Sequence, residues 1–326
     1  MDANRRHVLG AVAMTLIGGC AEAAPPPTDW AAFKARFLLA DGRIVDTGNG
    51  GISHSEGQGY GMILAEAAND PVAFAAMAGW TARVLGRPDM ALHAWRYVPT
   101  AAVPVGDPNN ATDGDILIAG ALMRAGRRWH RAEYLARAKA IRVAIVQRLI
   151  KRRAGRSLLL PGLVGFEWPD RTTVNPSYYV WPLLDQFRAI DGDRVWGRIV
   201  ADGEWLIQSA RFGAFGLPTD WVDVANDGRV TPAAGRPPRF GFDAIRVPLY
   251  LTMGGRNAEA ANVARFWRTT KSPLPAWVDV TTAERAPFAV SAGGRAVARR
   301  VLGAAVSSVT DDPDYYSAVL GSLARL

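Results

Sequence analysis

The chain reads as an all-α protein, a toroid of paired helices. Three observations predict this class. Eleven stretches carry apolar residues at helical spacing, most of them arriving in pairs across short polar breaks. No repeat of the lengths typical of open helical solenoids accompanies them, which favours a closed ring over a stack. Nowhere along the 326 residues does composition shift to mark a second domain, and a hydrophobic content of 49% suffices for one large core.

In chain order the helical patterns cover residues 29–39, 57–68, 71–85, 113–125, 131–150, 179–189, 193–210, 244–253, 258–269, 288–306 and 314–323. Val143-Ala144-Ile145-Val146 is strand-like by propensity but lies inside a longer helical period. Turn residues and short β-prone runs over 157–175 and 212–239 predict hairpin insertions between helices. One domain is therefore expected over 29–326.

Ahead of it the pattern changes. Arg5-Arg6 precede an apolar run over residues 8–17, too short to span a bilayer. Small residues follow, then Ala21-Glu22-Ala23 and three prolines. This is the layout of a secretory signal over residues 1–23 with a linker over 24–28. The protein is expected to be exported, to the periplasm or beyond. The twin arginines suit a Tat route as well as a Sec route. Ile17-Gly18-Gly19-Cys20 resembles a lipoprotein box, which makes Cys20 a candidate lipid anchor beside simple cleavage. Cys20 is the only cysteine, so no internal disulfide is expected in the domain.

A net charge of +8 raises the question of nucleic acid. The basic residues are dispersed, however, and the densest runs are only Arg127-Arg128, Lys151-Arg152-Arg153 and Arg299-Arg300. They read as solvated faces, and no nucleic-acid partner is expected.

Chemistry concentrates at three helix starts. In Ser55-Glu56-Gly57-Gln58-Gly59-Tyr60-Gly61-Met62 an acid heads three glycines spaced two apart. Bare backbone lets a substrate lie close to a carboxyl, which suits a general acid. Ser53 with Glu56 three residues on is equally a capping box, which recurs without any chemistry. Asp113, in Asn110-Ala111-Thr112-Asp113-Gly114-Asp115, and Asp243, in Phe240-Gly241-Phe242-Asp243, also stand where helices begin and could be caps. Helices of one barrel layer start at the same end, so the three carboxyls would share a rim. Tyr60, Trp129, Phe240 and Phe242 would supply sugar-stacking surfaces there.

Together these blocks resemble glycoside hydrolase family 8. Ser55–Met62 is similar to the family's general-acid motif, and Ala111-Thr112-Asp113-Gly114-Asp115-Ile116-Leu117-Ile118-Ala119, running on to Trp129, to its signature stretch. Asn175-Pro176-Ser177-Tyr178 and Phe242-Asp243-Ala244-Ile245-Arg246-Val247 resemble two further blocks. They occur in family order across most of the chain, and the closest likeness is to periplasmic endo-β-1,4-glucanases that accompany bacterial cellulose synthase. The resemblance implies an (α/α)6 barrel, a β-1,4-glucan substrate and inversion at the cleaved bond. It implies Glu56 as general acid, Asp243 as general base, and Asp113 at the cleavage subsite. Tyr178 and Arg246 would assist around the base, and Trp95 would stack on glucose. Tyr178-Tyr179-Val180-Trp181-Pro182 departs from the commoner pattern after its first tyrosine. The cellulose synthase complex would be a partner, and no cofactor is implied.

Other chemistries fit poorly. Gly51-Ile52-Ser53-His54-Ser55 is no Gly-x-Ser-x-Gly elbow, and His54, His93 and His130 lack a supporting strand pattern. Zinc lacks ligands, calcium lacks a closing glutamate, and the glycines after Glu56 miss dinucleotide spacing, so no metal site is expected. Two rivals remain. One is a non-catalytic glucan-binding component of a polysaccharide export machine, which would need neither acid nor base. The other is a family relative acting on xylan or chitosan.

Overall fold

The computed structural model describes residues 29–308 and 314–326. The expected signal, the linker and Cys20 lie outside the described residues.

Eleven α-helices form among the described residues: α1 (Asp29–Phe37), α2 (Ser55–Ala67), α3 (Pro71–Trp80), α4 (Thr112–Arg128), α5 (Ala132–Arg148), α6 (Trp181–Asp191), α7 (Asp193–Ser209), α8 (Arg246–Met253), α9 (Ala261–Thr269), α10 (Ala292–Val301) and α11 (Tyr315–Arg325). Each answers one of the predicted helical patterns. Helix α3 runs on through a π-helical turn, Thr81–Leu85, which completes the longer stretch expected there. Val143–Val146 is helical, inside α5, because the apolar period outweighs local β propensity.

The helices close a ring. α2 packs on α4, α4 on α6, α6 on α8, α8 on α10, α10 on α11, and α11 returns to α2. Outside them α3 lies on α2, α5 on α4, α7 on α6, α9 on α10 and α1 on α11. This is an (α/α)6 barrel, with five outer helices among the described residues. Layer shows in burial. Inner α2 buries every residue from Gly57 to Glu66, whereas outer α5 buries one face, Ala138, Ile141, Arg142, Ala144 and Ile145.

Nine short strands interrupt the helices: β1 (Ser53–His54), β2 (Arg96–Tyr97), β3 (Ile150–Arg153), β4 (Arg156–Leu159), β5 (Arg171–Val174), β6 (Val222–Ala225), β7 (Val230–Pro232), β8 (Arg239–Phe240) and β9 (Val278–Asp279). Their pairings are antiparallel: β1 with β2, β3 with β4, β6 between β5 and β7, and β8 with β9. Strand β1 runs directly into α2, β5 into the segment before α6, and β8 into the turn before α8. The strands thus aim connecting segments at one end of the barrel.

The glycines after Glu56 serve packing rather than substrate approach, because an inner helix has neighbours on every side. A Cβ on Gly59 would stand 2.5 Å from Leu117 Cβ of α4. On α4, a Cβ at Gly114 would stand 2.2 Å from Ser55 Oγ and 2.7 Å from the Glu56 amide. The first turns of α2 and α4 therefore meet backbone to backbone. Further along, Glu66 of α2 receives Arg124 at 2.7 Å and Arg128 at 2.6 Å from α4, fixing the register of the pair.

Gly114→Val should force these first turns apart. The expected cost is about 1–3 kcal/mol of stability, read as a lower midpoint in urea denaturation. An unchanged midpoint would show that the backbones are not held at this separation.

Candidate active site

The Ser53–Glu56 capping box does not form. His54, extended at φ −136° and ψ 156°, is the N-cap of α2, and its Nδ1 accepts the Gly57 amide at 2.9 Å. Ser53 is held in β1 opposite Tyr97, where its hydroxyl donates to the Ile44 carbonyl at 2.5 Å. Glu56, the second residue of α2, keeps its carboxyl out of the cap. Asp113 is likewise second in its helix rather than the cap, which is Ala111 without a side-chain bond. Its Oδ1 accepts the Gly114 amide at 2.8 Å, leaving Oδ2 to turn inward. Asp243 does not head a helix directly: it lies in a turn, and α8 begins three residues later at Arg246.

Arg246 joins the three. It is buried to 2% exposure, and its guanidinium touches Glu56 Oε1, lies 3.2 Å from Asp113 Oδ2, and lies 2.6 Å from Asp243 Oδ1. Nη1 takes Glu56 and Asp113, while Nη2 takes Asp243. Glu56 and Asp243 thus sit on different arms of one planar cation. Asp113 is buried, while Glu56 and Asp243 keep about a fifth and a third of their side chains exposed.

The carboxyls lie on the floor of an open pocket of about 250 Å³, walled by Trp95, Tyr178 and Tyr316 among others. A second pocket of about 300 Å³ adjoins it, sharing Trp95, Ala111 and Tyr178 and reaching Phe166 and Trp221. Together they form a groove. The Trp95 indole N–H donates to Asp107 at 2.7 Å, which fixes the ring on the groove wall.

Tyr60, expected among the stacking aromatics, offers no face to a sugar. Four residues beyond Glu56 on a wholly surrounded helix, it is fully buried. Its hydroxyl donates to Glu56 Oε1 at 3.1 Å, accepts from Arg246 at 3.0 Å, and lies 2.8 Å from the Tyr250 hydroxyl. Phe240 is buried too, and Trp129 caps the far end of α4, packed edge-on against Phe74. Phe242, 58% exposed beside Asp243, is the one of the four still open at the rim.

Three contacts went unassigned in the sequence. Asn175, quoted only as part of a block, donates to Asp243 Oδ2 at 3.1 Å. Tyr250 lies beneath Tyr60. Asp220, in the loop before β6, accepts the Asp243 amide at 3.0 Å. Asn175 belongs to a visible motif and could have been singled out; Asp220 and Tyr250 carry no local signal.

The electrostatics are those of several acids around one cation. Burial pushes Asp243 up to about 8, and the carboxylates of Asp220 and Asp113 push the same way while the Asn175 amide opposes them. Arg246, in contact with Asp243, also favours its ionised form. Burial likewise pushes Asp113 up to about 7, against the bond from the Gly114 amide. Burial raises the Tyr178 hydroxyl well above the usual phenol range, with Asp113 and Asp243 adding to it. Protons in such a cluster belong to the group rather than to one member.

The rim of this helical barrel thus gathers three carboxyls around one cation under an open groove. The chain belongs to glycosyl hydrolase family 8, whose family model matches residues 1–326. A probable endoglucanase of Novacetimonas hansenii is 42% identical over 320 residues, 95% of this chain and 94% of that protein. The crystal structure of a family 8 endoglucanase from Klebsiella pneumoniae superposes with a TM-score of 0.89 at 40% identity, covering 92% of this chain and 98% of that one. An endo-β-1,4-glucanase from Acetobacter xylinum gives 0.86 at 42% identity, covering 91% and 95%.

Because Asp243 and Asp113 are raised, the folded state keeps protons that unfolded carboxyls release near pH 4, at about their ordinary value. Their contribution to stability is therefore greatest below that pH and is lost as the pH rises toward 8. Asp243→Asn should raise the thermal midpoint at pH 8 and leave it unchanged at pH 4. An equal midpoint at pH 8 would mean that Arg246 wholly offsets the repulsion.

Proposed function

We propose that this family 8 endoglucanase cleaves β-1,4-glucan chains internally, with inversion, using Glu56 as general acid and Asp243 as general base. One observation carries the reading: a single buried guanidinium gathers carboxyls from the start of α2, the start of α4 and the turn before α8, under an open groove. A glucan in that groove would receive a proton from Glu56 at its leaving oxygen. Asp243 would take a proton from the water attacking the opposite face of the sugar. Inversion needs the two carboxyls roughly 6.5–9.5 Å apart, so that this water fits between them. Asp113, buried between them in charge and tied to Arg246, would hold the sugar ring and orient the water.

The acid works against its surroundings. The α2 N-terminus, Arg246 and the Tyr60 hydroxyl all favour ionised Glu56. Desolvation beneath a bound sugar and repulsion from Asp113 would return the proton that the acid needs. An open groove continuing from Trp95 to Trp221 suits entry along the middle of a chain, and Trp95 suits the apolar C–H face of glucose. An uncharged substrate asks nothing of the chain's net charge.

Proton NMR of the first anomer released from a cello-oligosaccharide tests bond and stereochemistry together: an initial α-product is expected, and an initial β-product would overturn inversion. Glu56→Gln should lower reducing-end release from carboxymethylcellulose by roughly 10²–10⁴-fold. Equal, zero release by wild type and variant would favour a binding component. Faster cleavage of xylan or chitosan than of cellulose would move the substrate assignment within the family. Trp95→Ala should raise KM several-fold with a smaller change in kcat.

The N-terminal pattern supports export to the periplasm or beyond and a place beside a cellulose synthase complex. Mass analysis of the mature N-terminus separates cleavage after Ala23 from acylation at Cys20.

A further inference from the structure

We propose that Asp220 is a positioning residue for the general base, fixing where the Asp243 carboxyl stands and strengthening its hold on the proton it takes from water. The proposal rests on the reading of Asp243 as base.

The geometry is that of one oxygen filling a turn. Asp220 Oδ1 accepts the amides of Gly241 at 3.2 Å, Asp243 at 3.0 Å and Ala244 at 2.7 Å. Its own amide donates to the Arg239 carbonyl at 2.9 Å, which ties the loop before β6 to β8 on the other side of the turn. Gly241 leaves the space: a Cβ there would stand 2.8 Å from Asp220 Oδ2. The same turn closes with the Ile245 amide on the Gly241 carbonyl and the Arg246 amide on the Asp243 carbonyl, both at 3.0 Å. Displacing Asp220 would therefore move the base and the first residue of α8, Arg246, together.

Asp220 lines neither pocket of the groove, so it acts through Asp243 and not on the sugar. Holding three amides does not require a charge, since an amide oxygen accepts as well. The carboxylate adds something else. Facing Asp243 are Arg246 of α8, Asp113 of α4, Glu56 of α2 through the shared guanidinium, Arg236 after β7, Asn175 and Tyr178 before α6, and Tyr316 of α11. Burial does most to keep a proton on Asp243, while the cations and the Asn175 amide favour its ionised form. Asp220 opposes them from the backbone side. A base works best with a proton affinity matched to the operating pH. Burial pushes Asp220 itself up to about 6 despite its three amides and the nearby charge of Arg239, so it is charged at neutral pH, where the effect is read.

Two variants separate charge from position. Asp220→Asn keeps an accepting oxygen and removes the charge. Its kcat/KM profile should show the acid limb about one pH unit lower than wild type, because Asp243 loses a proton more easily without the repulsion. Asp220→Ala also releases the turn, and kcat should fall by about tenfold or more with KM within twofold. An acid limb and kcat both at wild-type values in Asp220→Asn would overturn the proposal, as would losses confined to KM. Should Asp220→Ala fail to fold, Asp220→Asn decides alone. Asp243→Asn is assayed in parallel: full activity there would remove the base assignment, and the role of Asp220 with it.

Discussion

The barrel's active end depends on one buried cation. Arg246 lies at the start of α8, and the carboxyls around it come from α2, α4 and its own preceding turn. A guanidinium is poorly tolerated in a protein interior unless its donors are satisfied, and carboxylates are poorly tolerated without a cation. Each side of the contact therefore requires the other. The ring can close at this end only when α2, α4 and α8 meet, and the backbone contact at Gly114 shows how close the first two must come. Tyr60 completes the arrangement from below by donating to Glu56 and accepting from the same arginine.

That constraint also sets the chemistry. Burial, joined by repulsion between Asp243, Asp113 and Asp220 that one positive charge cannot cancel, makes the cluster retain protons into the neutral range. A site that must both give and take a proton gains from such storage. The same burial and repulsion cost folding stability as the pH rises, which is the usual conflict between a working site and a comfortable core.

The helices were legible because runs of apolar residues at helical spacing recur between polar breaks, buried on one face in an outer helix such as α5 and all round in inner α2. The closeness of Glu56, Asp113 and Asp243 was legible only indirectly, through helix starts that share a rim. Readings that rested on local spacing fared worse. Ser53 and Glu56 have capping-box spacing, yet strand pairing with Tyr97 diverts Ser53 and His54 caps instead. The glycines after Glu56 look like room for a substrate, yet they are room for neighbours: Tyr315 at Gly57, Leu117 of α4 at Gly59, and Met77 of α3 at Gly61. Tyr60 looks like a sugar platform, yet an inner helix has no outward face. The last two failures share a cause: a short motif does not say which layer its helix occupies.

By itself, then, the sequence determined the helical class, the number of helices and the acidic residues at their starts, because periodicity and end signals are local properties of a chain. It also carried enough blocks in order to name the family. The resemblance already set Arg246 beside Asp243; only the tertiary structure decided that it also holds Glu56 and Asp113. Arg246 reaches residues 133 and more positions away, Tyr250 lies under Tyr60 from 190 away, and Asp220 supports Asp243 from 23 away. Contacts of that range follow from how the ring closes, and no local pattern encodes ring closure.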